Sequence, residues 1–407
     1  MKNRLSRKAV SLKQSGIRRF FEVASTIEGV ISLGVGEPDF ETPWRIRDEG
    51  IYSLQQGQTF YTANAGMIEL RQALVDFVDR HYQLKYDPET EVVVTVGGSE
   101  AIDLAMRAIV NPGDEILYTE PNYVSYLPCI ELSDGIPVPI SLSEENGFKL
   151  TAEELLAKIT PKTKALVLSY PNNPTGAIMT QEEFDKIAEV VIEKDILVIT
   201  DEMYSELNYE TQQSVSIASF KGMKERTIYI NGFSKTFSMT GWRLGYAMAP
   251  SDIMEQMVKI HQFTVTSAST TSQLAGIEAL RNCDSLVAEM RDSYNMRRRY
   301  LVNEFKKMAI QLFEPLGAFY IFPNISEFGL TSEEFANELL NREKVAVIPG
   351  TAFGDSGEGY IRISYAYSIA DLQKAMVRFK RFVNALRAEQ KQGDKQANRH
   401  IESTVGK

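Results

Sequence analysis

Four polar clusters, each following an apolar run, carry the residue types that chemistry needs. Lys235 lies in Asn231-Gly-Phe-Ser-Lys-Thr-Phe-Ser-Met-Thr-Gly-Trp-Arg-Leu-Gly245. Small and aromatic neighbours can lower a lysine's pKa and leave a nucleophilic amine. Arg243, further along the same segment, could pair with a phosphate. Asp201-Glu-Met-Tyr204 follows the run Ile196 to Thr200. A carboxylate at the end of a buried strand is costly unless paired or hydrogen-bonded. Asp201 could therefore cap a helix, bind magnesium or hold a protonated ring nitrogen. Tyr170-Pro-Asn-Asn-Pro-Thr-Gly176 follows Ala165 to Ser169, and Pro174 biases Asn173 away from helical geometry. Gly97-Gly-Ser-Glu-Ala101 follows Val92 to Val96. Its backbone N–H groups could cradle an anion at a helix start, or Ser99 could simply cap that helix. Lys235 alone reads as a loop lysine on the surface. Beside the other three clusters, that reading loses ground.

The elements that must position these residues alternate between strand and helix. Helices are expected from Pro43 to Gln56 and from Met67 to Tyr82, the latter with Leu70, Leu74 and Phe77 on one face. Strands follow at 92–96, 115–118, 165–169, 196–200, 227–230 and 245–249, with helices at 99–109 and 184–193. Nearly continuous apolar strands imply a sheet covered on both faces. Alternating strands and helices imply a mostly parallel α/β sheet, and such sheets bind ligands beyond their C-terminal strand ends. All four clusters occupy that position. After a long basic helix at 285–307 come apolar runs at 319–322, 345–348 and 360–364, and helices at 333–340 and 369–386. These fit a smaller α+β domain. The triple arginine 297–299 reads as a solvated helix face. The tail from Arg387 lacks apolar periodicity and is expected to be disordered or loosely helical.

Composition bounds the function. A chain of 407 residues is long for one core, so two domains are expected. The net charge of −10 argues against nucleic acid or an anionic membrane as partner. Two cysteines, Cys129 and Cys283, and three scattered histidines, His81, His261 and His400, suggest neither a disulfide framework nor a metal cluster. No signal peptide and no membrane-spanning run is visible, so a cytoplasmic protein is expected.

Asn172-Asn-Pro-Thr-Gly176, Asp201-x-x-Tyr204, and Ser234-Lys235 with Thr240-Gly-Trp-Arg243 resemble class I/II aminotransferases of the fold-type-I pyridoxal-phosphate superfamily. Ser32-Leu-Gly-Val-Gly-Glu-Pro-Asp-Phe40 and Tyr360-Ile-Arg-Ile-Ser-Tyr365 fit the same family, over roughly residues 15–388. Ser15-Gly-Ile-Arg-Arg-Phe looks most like the prokaryotic alanine/aromatic branch, and acetyl-diaminopimelate aminotransferases look similar. The resemblance implies a large domain (41–285) with a seven-stranded, mostly parallel sheet. It also implies a small α+β domain (286–388), an N-terminal arm (1–40) packed with it, and a disordered tail from 389.

It further implies pyridoxal 5'-phosphate as cofactor and transamination from an L-amino acid, aromatic, alanine or similar, to a 2-oxo acid such as 2-oxoglutarate. Lys235 would anchor the cofactor and shuttle the α-proton. Asp201 would pair with its ring nitrogen, Asn173 and Tyr204 would bond its phenolic oxygen, and Tyr123 would stack on the ring. Ser99, Glu100, Ser234 and Arg243 would bind the phosphate, joined by Tyr61 of the partner subunit in a homodimer with shared sites. Arg362, Gly36 and Asn173 would bind substrate, with Ile17 closing over its side chain. Gly232 stands where many relatives carry a phosphate-binding serine, so phosphate contacts must come from elsewhere. A β-lyase on the same fold begins with the same proton abstraction and stays open. So does a ligand-sensing protein without catalysis, although such proteins usually append a DNA-binding domain.

Overall fold

In the computed structural model, residues 4–12, 27–210 and 214–405 are described, the side chains of 393–405 excepted. Ile17, with Phe20 and Phe21, lies outside them. Seven strands form the central sheet: β2 (Val92–Thr95), β3 (Glu115–Glu120), β4 (Ile136–Ser141), β5 (Thr163–Ser169), β6 (Leu197–Asp201), β7 (Thr227–Gly232) and β8 (Gly245–Met248). Their order is β2-β8-β7-β6-β5-β3-β4, and only β8 runs against its neighbours. The mostly parallel sheet expected from the apolar runs is present. Strands β2, β6 and β7 are almost wholly buried, as a sheet with two covered faces requires.

Strand β4 escaped the sequence reading because Pro137 and Pro139 interrupt it. It sits at the sheet edge, where a missing N–H is tolerated. Two helices, Ser251–Thr264 and Thr270–Asn282, were also not anticipated. The first packs on helix Gly98–Ile109, and the second on helices Trp44–Gln55 and Ile68–Tyr82. Several helix starts are locally encoded: Thr151, Thr180 and Thr331 each form a reciprocal capping box with the glutamate three residues on.

The helix Asp284–Lys307 leads to a second unit. There β9 (Tyr320–Ile321), β11 (Ile348–Pro349) and β12 (Ile361–Ser364) pair antiparallel in the order β11-β12-β9. Strand β1 (Ile31–Ser32) pairs parallel with β10 (Val345–Ala346), which ties the glycine-rich segment after residue 32 to this unit.

One expectation is corrected, and of the two readings of the tail the helical one is found. The triple arginine is not a solvated face. Arg298 is buried, bonding Glu314 and the Pro315 carbonyl, and Arg297 bonds Asp39 at 2.7 Å while lying against Phe40 and Tyr294; only Arg299 is exposed. Three successive helical residues point in three directions, so a run of like charges need not share one environment. The stretch from 389 continues the last helix, Ile369–Val405. Its alanine, glutamate, glutamine and lysine favour helix even without an apolar stripe, and Glu389 pairs with Arg342 at 2.6 Å.

Candidate active site

Neighbouring strands β5, β6 and β7 end side by side, and Ser169 faces Asp201 in register. Alternation along β6 and beyond sends successive side chains to opposite faces. Asp201 therefore points into a cavity of about 310 Å³, while Glu202 turns away to Thr200 and Ser216. Asp201 is 7% exposed, and burial pushes its carboxyl pKa up. Its hydrogen bonds come from neutral donors, the Tyr126 hydroxyl at 2.7 Å and the Met203 N–H at 3.2 Å. Such a carboxylate suits a cationic N–H more than any partner it has.

Strand β7 runs into the short helix Phe233–Thr236, which carries Lys235. Its amine donates to the Gly36 carbonyl at 2.6 Å. Burial pushes the Lys235 pKa down to about 8; Glu37 opposes this, and the charges of Arg362 and Arg243 add to it. With roughly a tenth of it neutral at pH 7, against well under a thousandth at the ordinary 10.5, this amine is a usable nucleophile and base.

An anion cradle lies at the β2 end. Gly97, at φ +89, turns the chain into helix Gly98–Ile109 with its N-terminus at the cavity. A Cβ on Gly97 would stand 2.5 Å from Arg243 Nη2, so only glycine lets that guanidinium approach. Arg243, itself left-handed at φ +52, donates to the carbonyls of Thr240 and Val96 at 3.0 and 3.3 Å. Ser234 also lines this end, and Ser99 hydrogen-bonds the Tyr123 hydroxyl at 3.2 Å. At Gly232 a Cβ would press on the Leu244 carbonyl at 3.2 Å, which disfavours a serine there.

The opposite wall belongs to the second unit. Arg362, only 2% exposed, is sandwiched between the rings of Tyr320 and Phe353, 4.4 and 4.7 Å from their centroids. It donates to Asn173 Oδ1 at 2.8 Å and to the Gly34 carbonyl at 2.5 Å. Its Nε is buried without a partner among the described residues. Both acceptors are neutral, so this guanidinium is suited to a carboxylate. Tyr204, its phenol pKa pushed well up by burial, shares a hydrogen bond of 2.8 Å with Tyr320.

The structure thus brings Gly36, Ser99, Tyr123, Asn173, Asp201, Tyr204, Ser234, Lys235, Arg243 and Arg362 around one cavity. It does not bring Glu100 there. That carboxylate folds back onto the Val96 N–H at 2.5 Å and buried His261 at 2.9 Å, leaving only its backbone N–H at the helix start. Tyr61 is 87% exposed and lines a separate open cleft with Phe60, Thr270 and Arg281. Tyr126 and Tyr320 were missed because both sit in apolar runs and read as core. The signal for Tyr126 was its three-residue spacing from Tyr123 on a helical turn.

Residues 28–379 match the model of the family "Aminotransferase class I and II". The chain is 49% identical to a putative aminotransferase, YugH, of Bacillus subtilis, over 94% of this chain and 99% of that protein. It is 44% identical to an aspartate aminotransferase of Pyrococcus abyssi, over 90% of this chain and 95% of the relative. An aromatic aminotransferase structure from Pyrococcus horikoshii superposes with a TM-score of 0.87 at 42% identity, covering 91% of this chain and 99% of that one.

Proposed function

The chain belongs to the class I and II aminotransferases, enzymes that use pyridoxal phosphate, and we propose that it carries an amino group from an aromatic or alanine-like L-amino acid to a 2-oxo acid such as 2-oxoglutarate. The observation that carries this reading is the geometry at Lys235. A lysine with its pKa pushed to about 8 lines one cavity with a buried carboxylate, Asp201, and a buried guanidinium, Arg362, whose Nε has no partner among the described residues.

These residues fit pyridoxal phosphate. The cradle at Gly97 to Ser99 offers N–H donors for a phosphate at a helix start, and a Cβ on Gly97 would displace the Arg243 guanidinium beside it. Asp201 has neutral donors and suits a protonated ring nitrogen. The cofactor supplies an aldehyde carbon that takes up the amino group and a ring that draws electrons from the substrate's α-carbon. Lys235 would hold that carbon through its amine, and the same amine, when free, would carry the α-proton. Asp201 would hold the proton on the ring nitrogen. Asn173 and Tyr204 would hold the ring oxygen, and Tyr123 would cover the ring face. Ser99, Ser234, Arg243 and the N–H of Glu100 would hold the phosphate. Arg362 takes the α-carboxylate as a two-pronged donor, with Asn173 and the Gly36 N–H beside it.

The same residues serve both halves of a ping-pong cycle, because the amino donor and the oxo acceptor present the same carboxylate. Among the described lining residues the cations are Lys235, Arg243 and Arg362, and each already has a task. None of these is left for a distal carboxylate, so that of 2-oxoglutarate would be met from outside these lining residues, while Tyr123, Tyr320 and Ile102 offer apolar surface. That favours an aromatic or alanine-like donor over aspartate. The reading includes a homodimer in which Tyr61 of the partner subunit completes the phosphate site, and exposed Tyr61 and Phe60 support it. It also includes a division into a large body (41–285), a small one (286–388) and an arm to residue 40 carrying Ile17 as part of a closing lid.

The test is to load the protein with pyridoxal phosphate and follow its visible band while amino acids are added. Tyrosine, phenylalanine or alanine should convert the band, with kcat/KM above that for aspartate. Lys235→Ala should lose turnover by at least about 10³-fold. A loaded protein that converts with no amino acid would sink the proposal.

A further inference from the structure

Tyr320, buried in β9, touches three parts of the site at once. Its hydroxyl lies 2.8 Å from that of Tyr204, and its ring backs the Arg362 guanidinium at 4.4 Å. The same hydroxyl occupies space that a Cβ on Gly36 would need. Each hydroxyl carries one proton, which fixes the direction of bonding once Tyr204 donates to the cofactor's ring oxygen. Tyr204 then needs a donor to its own oxygen, and Tyr320 is the neighbour placed to be one. Burial raises the Tyr320 phenol pKa, while the Arg362 charge against its ring pulls the other way and strengthens the O–H as a donor.

We propose that Tyr320 is a positioning residue for catalysis, a second donor that acts through Tyr204 to set the protonation of the nitrogen linking Lys235 to the cofactor. This rests on the assignment of Tyr204 to the ring oxygen made above. A donor aimed at that oxygen competes with the linkage nitrogen's proton for its negative charge. Weakening the donor lets the nitrogen keep its proton to higher pH. Two-link chains of hydrogen bonds polarise one another, so loss of the outer link weakens the inner one.

The experiment uses the cofactor-loaded protein without amino acid and reads the pH midpoint of its visible band. Tyr320→Phe keeps the ring, its packing and its contact with Arg362, and removes one oxygen. The expected result is a midpoint raised by about half to one pH unit, the size of one net hydrogen bond. Tyr204→Phe should shift it further in the same direction, and adding Tyr320→Phe to that variant should change nothing more. An unchanged midpoint in Tyr320→Phe overturns the proposal. So does a full second shift on the Tyr204→Phe background, because the effect would then not pass through Tyr204. A wild-type protein with no visible band would instead remove the cofactor reading, and this inference with it.

Discussion

The two anion sites of the cavity are built on opposite principles. At the β2 end, Arg243 sits exposed beside a helix N-terminus, donating to the backbone carbonyls of Thr240, three positions back, and of Val96, 147 positions away. At the other wall, Arg362 is buried between two aromatic rings and bonds residues 189 and 328 positions away in the chain. The first site spreads an anion's charge over backbone dipoles and one screened cation. The second concentrates it on a single guanidinium in a low dielectric, where an unpaired charge is costly and a matched one is strong. A cofactor that stays bound can rely on many weak donors. A substrate that must arrive and leave twice per cycle calls for one strong, selective contact.

That contrast can be broken experimentally. Arg362→Leu should raise KM for donor and acceptor alike by about 10²- to 10³-fold, as loss of a buried charged contact does, with cofactor affinity unchanged in a spectroscopic titration. Even Arg362→Lys should recover little, since an ammonium lacks the planar fork.

Lys235, between the two sites, tests the cost of a buried charge. Its folded pKa of about 8 lies below the ordinary 10.5, so between those values the folded chain binds fewer protons than the unfolded one. Stability of the cofactor-free protein therefore climbs from pH 8 to pH 10.5, and below pH 8 the penalty is complete. Lys235→Met should stabilise that form near neutral pH by on the order of 2–3 kcal/mol. Chemical denaturation should show the gap closing toward pH 10.5.

Arg243→Gln should weaken pyridoxal-phosphate binding by about 10- to 100-fold, the worth of a hydrogen bond to a charged group, and leave substrate KM nearly unchanged. Rising salt should weaken the wild-type cradle, since its cation is open to water. Gly97→Ala forces a Cβ onto Arg243 Nη2 and strains a backbone at φ +89, ψ 167. About 1–3 kcal/mol of stability should be lost in a thermal melt, with cofactor affinity falling alongside. If Gly97→Ala raised substrate KM and spared the cofactor, the division between the two sites would be wrong.

Legibility in the sequence follows the same line. The seven-strand sheet, apart from β4, was readable because apolar runs of strand length stand out between turn residues. The cradle was readable because Gly97 to Glu100, and Ser234 with Arg243, are short local segments whose backbone demands are written in their residue types. Tyr126 and Tyr320 were not, because a tyrosine in an apolar run looks the same whether its hydroxyl meets a catalytic partner or a carbonyl. The arginines at 297 and 298 misled for a related reason: their partners, Asp39 and Glu314, belong to other segments.

The sequence by itself determined the strand ends, the turn glycines and the set of ionisable groups available, since these depend on local sterics and on residue chemistry. Tertiary structure alone decided that Asp201 faces the cavity while Glu202 turns away, that the Arg362 Nε finds no partner among the described residues, and that Glu100 faces His261 instead of the anion site. Orientation, burial and the lowered pKa of Lys235 depend on what packs from distant segments. They come into being when β9 and β12 close over the strand ends.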